Sequence, residues 1–299
     1  MDYHTYSFID LPAIYQVELV GGVCQLKCSY CPVSKGEVPR RNRYFDFNLL
    51  KEMFRRGDFE HTFYFELHMY GESMLHPQFE TIVGWLKSNV KQLIGLSTNL
   101  IEFSECLNLF DALTISCDTQ SYRKGRNFDI FRMNLEKLFK IRRDKPIDIQ
   151  FVECVNPDDE LVEVQKFVSS LIEKYNNRNV IVRSAPECFT QSVDLTLLHS
   201  DPCINPFISV SIQSDGDVVS CCFCWDKSYP NVYGNILDTT LSEVWQHSET
   251  RRVLLSHISG EGMVLTGKCS ECLVHSPALL HWRFLCNYAK IGMMRFGTR

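Results

Sequence analysis

Apolar positions along the first two-thirds of the chain follow two rhythms in alternation. Short runs rich in β-branched and aromatic residues predict six strands: VELV (17–20), FYFELHMY (63–70), QLIGLST (92–98), ALTISCD (112–118), IDIQFVECV (147–155) and VIVRSA (180–185). Stretches between them have helical spacing. One runs over 47–57, with Asp46 as its cap and Gly57 as its stop. Others are Pro77–Asn89, with proline at its start, a short helix at 103–110, and 158–175. In 128–143, Ile130, Phe131, Leu135, Leu138 and Phe139 share a face. Such alternation predicts parallel strands joined by right-handed crossovers, with functional residues at the C-terminal strand ends. By itself it does not separate an open sheet from a partial barrel. Residues 1–16 read as an extended lead-in and 33–44 as a polar, irregular stretch.

The alternation stops near Pro186. FISVSIQ (207–213), the turn signal Asp215-Gly216 and the returning run DVVSCCFCW predict a β-hairpin. A helix over 241–258 and a C-terminal helix over 276–296 follow, the latter carrying Leu279, Trp282, Leu285 and Tyr288 as core positions.

The 299 residues suffice for one large domain or two moderate ones, and 45% hydrophobic with 22% charged residues is ordinary for a globular chain. A net charge of −5 gives no ground for general nucleic-acid or membrane-surface binding. No apolar run reaches transmembrane length, and MDYHTYSFID lacks the basic-then-apolar order of a secretory signal, so a cytoplasmic location is expected. Arg40, Arg41 and Arg43 read as a solvated loop, with a clamp for an anionic substrate group as the alternative.

Fourteen cysteines without a secretory signal point to metal centres where they cluster. Cys24, Cys28 and Cys31 stand at C-x3-C-x2-C spacing just past the first predicted strand and Gly21-Gly22. Three thiolates are one short of a closed zinc site, and they leave one corner of a four-iron cluster open to a small molecule. Cys203 and Cys221 flank the predicted hairpin, and Cys269 and Cys272 form a C-x2-C pair. Those four suit structural zinc as well as an iron–sulfur cluster. In the run Cys221-Cys222-Phe223-Cys224, strand alternation would point neighbours to opposite faces, so the three cannot all ligate one cluster. Cys222 could replace Cys221 as ligand. A spare thiol would either pack beside the cluster or give a hydrogen atom to a substrate radical. Cys106, Cys117 and Cys154 read as small core residues.

The three-cysteine spacing, with Tyr30 before the last cysteine, resembles the signature of the radical S-adenosylmethionine (radical SAM) superfamily. The resemblance implies an α/β fold: a partial (β/α)6 barrel over 1–186, a small β-hairpin/helix auxiliary-cluster domain over 187–275 and a C-terminal helix over 276–299. It implies a [4Fe–4S] cluster on Cys24, Cys28 and Cys31 whose open iron binds SAM. An electron from that cluster breaks a carbon–sulfur bond of SAM, and the 5′-deoxyadenosyl radical takes a hydrogen atom from the substrate. The segment MYGESMLHP (69–77) resembles the family's Gly-Gly-Glu segment, with Tyr70 in place of the first glycine. Gly71 and Glu72 would receive the amino group of SAM. Ser97 and Asn99, then Ser116 and Asp118, would face its ribose and carboxylate or the substrate. Tyr30 would contribute to the SAM pocket and Val155 would pack on the adenine. Glu153, His68 and Asp118 are candidate bases.

The later cysteines, as C-x12-G-x4-C followed by C-x2-C, resemble the auxiliary extension called SPASM in its long form and twitch in its short form. Only Cys286 follows the pair, which matches the short form. By that resemblance Cys203, Cys221, Cys269 and Cys272 hold one auxiliary [4Fe–4S] cluster that carries electrons. The implied activity is oxidation of a secondary alcohol on a small polar substrate of sugar or aminocyclitol type, with the auxiliary cluster as electron acceptor and a flavodoxin or ferredoxin as donor. Glu153, Cys222 and Cys224 are the candidate catalytic residues. Redox-neutral epimerisation or isomerisation, in which a thiol or tyrosine returns a hydrogen atom, stays open. So does modification of a ribosomal peptide, although only 23 residues precede Cys24, too few for a winged-helix leader-binding domain. A zinc-bearing binding module without catalysis is the reading from a different class.

Overall fold

The computed structural model describes residues 12–40, 43–60, 62–117, 123–153, 159–177, 179–186, 209–222, 224–226 and 232–251. Among these, nine strands share one sheet: β1 (Ile14–Val17), β2 (Tyr64–Leu67), β3 (Leu93–Thr98), β4 (Ala112–Cys117), β5 (Ile147–Glu153), β6 (Val180–Pro186), β7 (Ser209–Ile212), β8 (Asp217–Val219) and β9 (Val232–Asn235). Their order is β6-β5-β4-β3-β2-β1-β7-β8-β9. The first seven run parallel, and β8 and β9 are antiparallel additions. A doubly wound sheet reverses its order at a switch point. Here the first six strands neighbour one another in chain order, as in a barrel wall, which resolves the alternation as a partial barrel.

Six helices are described: α1 (Pro32–Lys35), α2 (Phe47–Arg55), α3 (Phe79–Asn89), α4 (Phe128–Ile141), α5 (Asp159–Tyr175) and α6 (Leu241–His247). Local chemistry sets their ends. Asp46 accepts from the Asn48 N–H at 2.8 Å to cap α2, and Gly57 follows its last turn at φ +82°. Thr240 and Glu243 form a capping box on α6. The predicted helix at 103–110 is a 3-10 turn, Glu105–Leu109. The predicted helix at 241–258 is interrupted at Ser248.

Register assigns each strand residue to a face. One face carries Tyr15, Val17, Phe65, Leu67, Leu96, Leu113, Ile115 and Ile149, each at most 1% exposed. Apolar residues of α2 to α5, such as Leu50, Met53, Ile82, Phe131 and Val168, share one core with it. On the other face, Ile14, Tyr64 and Ala112 form a small separate apolar cluster at the N-terminal end. Gly95 makes room for the Tyr64 ring, since a Cβ there would stand 1.7 Å from its hydroxyl oxygen.

Three local expectations are corrected. The first strand is Ile14–Val17 rather than 17–20, because the Glu18 carboxylate is drawn into a buried ion pair. Arg40 is not solvated: it meets Glu18 through two contacts of 2.8 and 3.0 Å and donates to the Trp225 carbonyl at 3.0 Å. Glu18 also accepts from the Tyr70 amide and from the Ser214 amide and hydroxyl, so one carboxylate ties the end of β1 to the hairpin. Finally, the hairpin forms as expected about Gly216 (φ +91°), but β8 ends at Val219. Cys221, Cys222 and Cys224 therefore lie past the strand, and the Cys224 N–H closes a turn onto the Cys221 carbonyl at 3.2 Å. Strand alternation does not govern where their thiols point. The proposed boundary at 186/187 and residues 276–299 fall outside the described residues.

Candidate active site

A cavity of about 260 Å³ opens at the C-terminal ends of β2 to β4. Cys24, Cys28 and Cys31 line it together. The loop that carries them is pinned from several sides. Lys27–Cys28 pairs with Arg123–Lys124, and Cys31 stands as the cap of α1, with Pro32 in its first turn. The Gly22 amide donates to the Tyr70 carbonyl at 2.6 Å and the Glu72 amide to the Val23 carbonyl at 2.8 Å, so the end of β2 runs against the start of the loop. Gly71 is required there: a Cβ would sit 2.0 Å from the Val20 carbonyl oxygen.

Glu72 is the polar hub of this wall and is 4% exposed. Its carboxylate accepts from the Thr98 hydroxyl (2.9 Å), the Asn99 amide (3.0 Å) and the Met74 amide (3.3 Å). Burial still pushes its pKa up, against the lowering effect of those donors. Asn99 turns its side-chain amide to the Cys24 sulfur at 3.6 Å, and the Leu26 amide donates to the same sulfur at 3.4 Å. Burial pushes the Cys24 thiol up to about 12. Arg126, buried and sequence-silent, donates to the carbonyls of Asn99 and Ser116 and so joins the ends of β3 and β4.

The hairpin supplies the opposite wall. Cys222 lines the same cavity as the three loop cysteines. Tyr70 lies beside it, edge-to-face with Trp225 at 5.6 Å, and burial raises its phenol well above the usual value. Cys224 does not reach the cavity lining. It is 1% exposed, with its sulfur 3.0 Å from the Ser220 hydroxyl and 3.8 Å from the Cys221 sulfur.

Below the cavity the inner face of the sheet is polar. Gln16, Glu66, Ser97, Thr114, Ser116 and Gln150 are half-buried, on strands whose alternate residues are fully buried. Ser97 donates to Glu66 at 2.8 Å, Gln16 to Glu66 at 3.4 Å, and Ser211 to Gln16 at 2.9 Å. Ile14, Tyr64 and Ala112 close the far end.

The structure thus brings Cys24, Cys28, Cys31, Tyr30, Gly71, Glu72, Ser97, Asn99, Ser116 and Cys222 around one cavity, together with His68. Asp118, Val155, Cys203, Cys269 and Cys272 lie outside the described residues, as does the Glu153 side chain. Sequence reasoning missed Arg126, the bond from Thr98 to Glu72 and the polar inner layer. The layer had a signal, since Gln16, Glu66, Thr114 and Gln150 interrupt apolar strands at every second position.

Residues 203–273 match the SPASM family, an iron–sulfur cluster-binding domain. The fold is similar to that of BtrN in complex with AdoMet and 2-DOIA, with 16% identity, TM-score 0.51, and coverage of 83% of this chain and 87% of that one. It is also similar to anSMEcpe with bound AdoMet, with 15% identity, TM-score 0.56, and coverage of 81% and 82%. No curated protein sequence matches significantly. The chain shares the fold of these AdoMet-bound proteins and carries a match to an iron–sulfur cluster-binding domain. The match at 203–273 supports an iron–sulfur cluster in that segment, and the resemblance of the cysteine motif adds SAM and a [4Fe–4S] cluster on Cys24, Cys28 and Cys31. The site fits the latter cluster. The three thiols line one cavity wall, with Asn99 and the Leu26 amide turned to the Cys24 sulfur. The Gln25 side-chain nitrogen, next in the chain to Cys24, is buried without a partner. Metal coordination would reverse the cost of a thiolate at Cys24. Among the described residues no helix is long and apolar enough to cross a membrane.

Proposed function

We propose that this chain is a radical SAM enzyme that removes a hydrogen atom from a small, polyhydroxylated substrate and oxidises a secondary alcohol to a carbonyl. The carrying observation is the polar, half-exposed inner face directly beneath the three-cysteine cavity, sealed by apolar residues at its far end. An inner face that meets the cavity at Ser97 and Ser116 would present a hydroxylated substrate to the cysteines. When bound, the cluster supplies the electron that cleaves SAM and thereby the radical that takes the hydrogen. Cys24, Cys28 and Cys31 hold that cluster, while Gly71 and Glu72 set the wall that receives the amino group of SAM. Asn99 and Ser116 shape the cavity next to it. Cys203, Cys221, Cys269 and Cys272 would hold the auxiliary cluster, which would accept the second electron of the oxidation while a base takes the hydroxyl proton, with a flavodoxin or ferredoxin as external donor. The fold likeness to BtrN, solved with AdoMet and 2-DOIA, over 87% of that chain supports a small-molecule substrate.

The test is anaerobic reconstitution of the parent and of a Cys24/Cys28/Cys31→Ala variant. About eight irons should fall to about four, and 5′-deoxyadenosine should form only in the parent. Zinc in both proteins without SAM cleavage would leave a metal-binding module instead.

A second reading has its own observation, Cys222 in the cavity wall. If its thiol returns a hydrogen atom, the reaction is redox-neutral epimerisation. Turnover in deuterated water decides: deuterium at the reacting carbon, lost in Cys222→Ala, selects epimerisation, and its absence selects oxidation.

A further inference from the structure

The family resemblance points Asn99 at the ribose or carboxylate of SAM, but its side chain is turned to a cysteine. Its nitrogen Nδ2 stands 3.6 Å from the Cys24 sulfur and 3.4 Å from Gln25 Oε1, so both amide protons have acceptors. The Leu26 amide donates to the same sulfur at 3.4 Å. The Cys24 thiol directs its own proton to Gln25 Oε1 at 3.8 Å, which leaves the sulfur lone pairs to the two N–H donors. The orientation of Asn99 is built into the backbone. Its Oδ1 accepts from the Ile101 amide at 3.0 Å, a side-chain turn that fixes which end of the amide is oxygen and leaves the nitrogen for the sulfur. Between the two, Leu100 has φ +57°, a left-handed conformation uncommon for a residue with a side chain. The Asn99 backbone is tied on both sides, its N–H to Glu72 at 3.0 Å and its carbonyl to Arg126 at 3.2 Å. The residue is buried, yet it lines the cavity with Cys24.

The potential of an iron–sulfur cluster is set in part by hydrogen bonds to its sulfurs. Reduction adds an electron that the ligand sulfurs share, and an N–H aimed at such a sulfur favours the more negative form. We infer that Asn99 is a positioning residue that acts through Cys24: its amide donates to the ligating sulfur and raises the reduction potential of the cluster on Cys24, Cys28 and Cys31. One electron from a flavodoxin or ferredoxin then enters the cluster more readily, and no covalent bond forms or breaks in that step. This rests on the reading of the three cysteines as cluster ligands, and it assigns the Asn99 side chain to the metal centre rather than to SAM.

The test is a redox titration of the reconstituted full chain without SAM, followed by EPR, with the signal of the Cys24/Cys28/Cys31→Ala variant subtracted to remove the auxiliary cluster. Asn99→Leu removes the donor without adding charge. Asn99→Asp keeps an acceptor for Ile101 and puts a carboxylate oxygen at the sulfur. At a set potential Asn99→Leu should lower the ratio of reduced to oxidised cluster about tenfold, a shift of about 59 mV for one electron. Asn99→Asp should lower it at least as far. Ser97→Ala, in the same cavity wall but donating to Glu66, should leave the midpoint in place. A merely structural role for Asn99 would change iron content or stability and not the midpoint. The parent gives a measure independent of any variant: with asparagine labelled by the heavy nitrogen isotope in its side chain, pulsed EPR of the reduced cluster should show coupling to that nitrogen. Midpoints equal to the parent's in both iron-loaded Asn99 variants, or no coupling in the labelled parent, would overturn the inference. Iron content that does not fall in the triple-alanine variant would overturn the cluster reading with it, whereas iron loss there with an unmoved midpoint in the Asn99 variants discards only the role of Asn99.

Discussion

The two faces of the barrel sheet are made by alternate residues of the same strands, yet they behave as different materials. Tyr15, Phe65, Leu96 and Ile149 are dry and packed against helices. Their neighbours Gln16, Glu66, Ser97 and Gln150 stay half-buried, and Gln16 and Ser97 both donate to Glu66. A parallel sheet covered on both faces by helices reads as continuous apolar runs. Among the described residues the helices pack on the apolar side, and the polar positions mark the other, so packing is concentrated on one face and candidate chemistry on the other.

The comparison can be broken by substitution. Phe65→Ala should cost ~3–5 kcal/mol by emptying the outer core, seen as a lower urea midpoint. A loss under ~1 kcal/mol would deny that the outer face is the packed one. Glu18→Ala probes the closed carboxylate: leaving Arg40 buried without its partner should cost ~3–5 kcal/mol, while an unchanged midpoint would mean that Arg40 finds water instead. Ser97→Ala removes one hydrogen bond from the open layer and should cost only ~1 kcal/mol, with substrate-dependent turnover falling more than stability. Equal losses for Ser97→Ala and Phe65→Ala would make the lumen ordinary core.

The smallest effect concerns pH. Burial holds the His76 imidazole below its usual 6.5. Its ring bridges the Gln78 amide (3.0 Å) and the Phe45 carbonyl (3.1 Å), which suits the neutral form. A lowered folded value means that this contribution is complete above about pH 6.5 and is lost as pH falls through the lowered value. Urea midpoints between pH 7 and 5 should therefore fall less steeply in His76→Gln, and an identical slope would exclude His76 as the source.

Much of the barrel was legible because its signals are local. Asp46 and Gly57 bracket α2 within eleven residues, and Cys24, Cys28 and Cys31 announce themselves by spacing alone. What was not legible depends on partners distant in the chain. Nothing near Arg40 shows that Glu18 will bury it. Nothing in Cys-Cys-Phe-Cys shows that β8 stops at Val219 and lets Cys222 reach a cavity built by residues 24–31. The polar layer was written in the strands, but its meaning appears only when register aligns Gln16 with Glu66 and Ser211.

The pairing of β1 with β7 has a consequence for biogenesis. Gln16 and Ser211, joined across it, are 195 residues apart in the chain. As the polypeptide leaves the ribosome, β1 to β6 can assemble while one edge of β1 still lacks its neighbour, a template for wrong pairing. Closing so long a loop is slow. Ser214 and Cys222 arrive with that late strand, so Glu18 gains its last donors and the cavity its last wall in the same event. The cavity wall that Cys222 supplies is therefore completed only after the first six strands have left the ribosome.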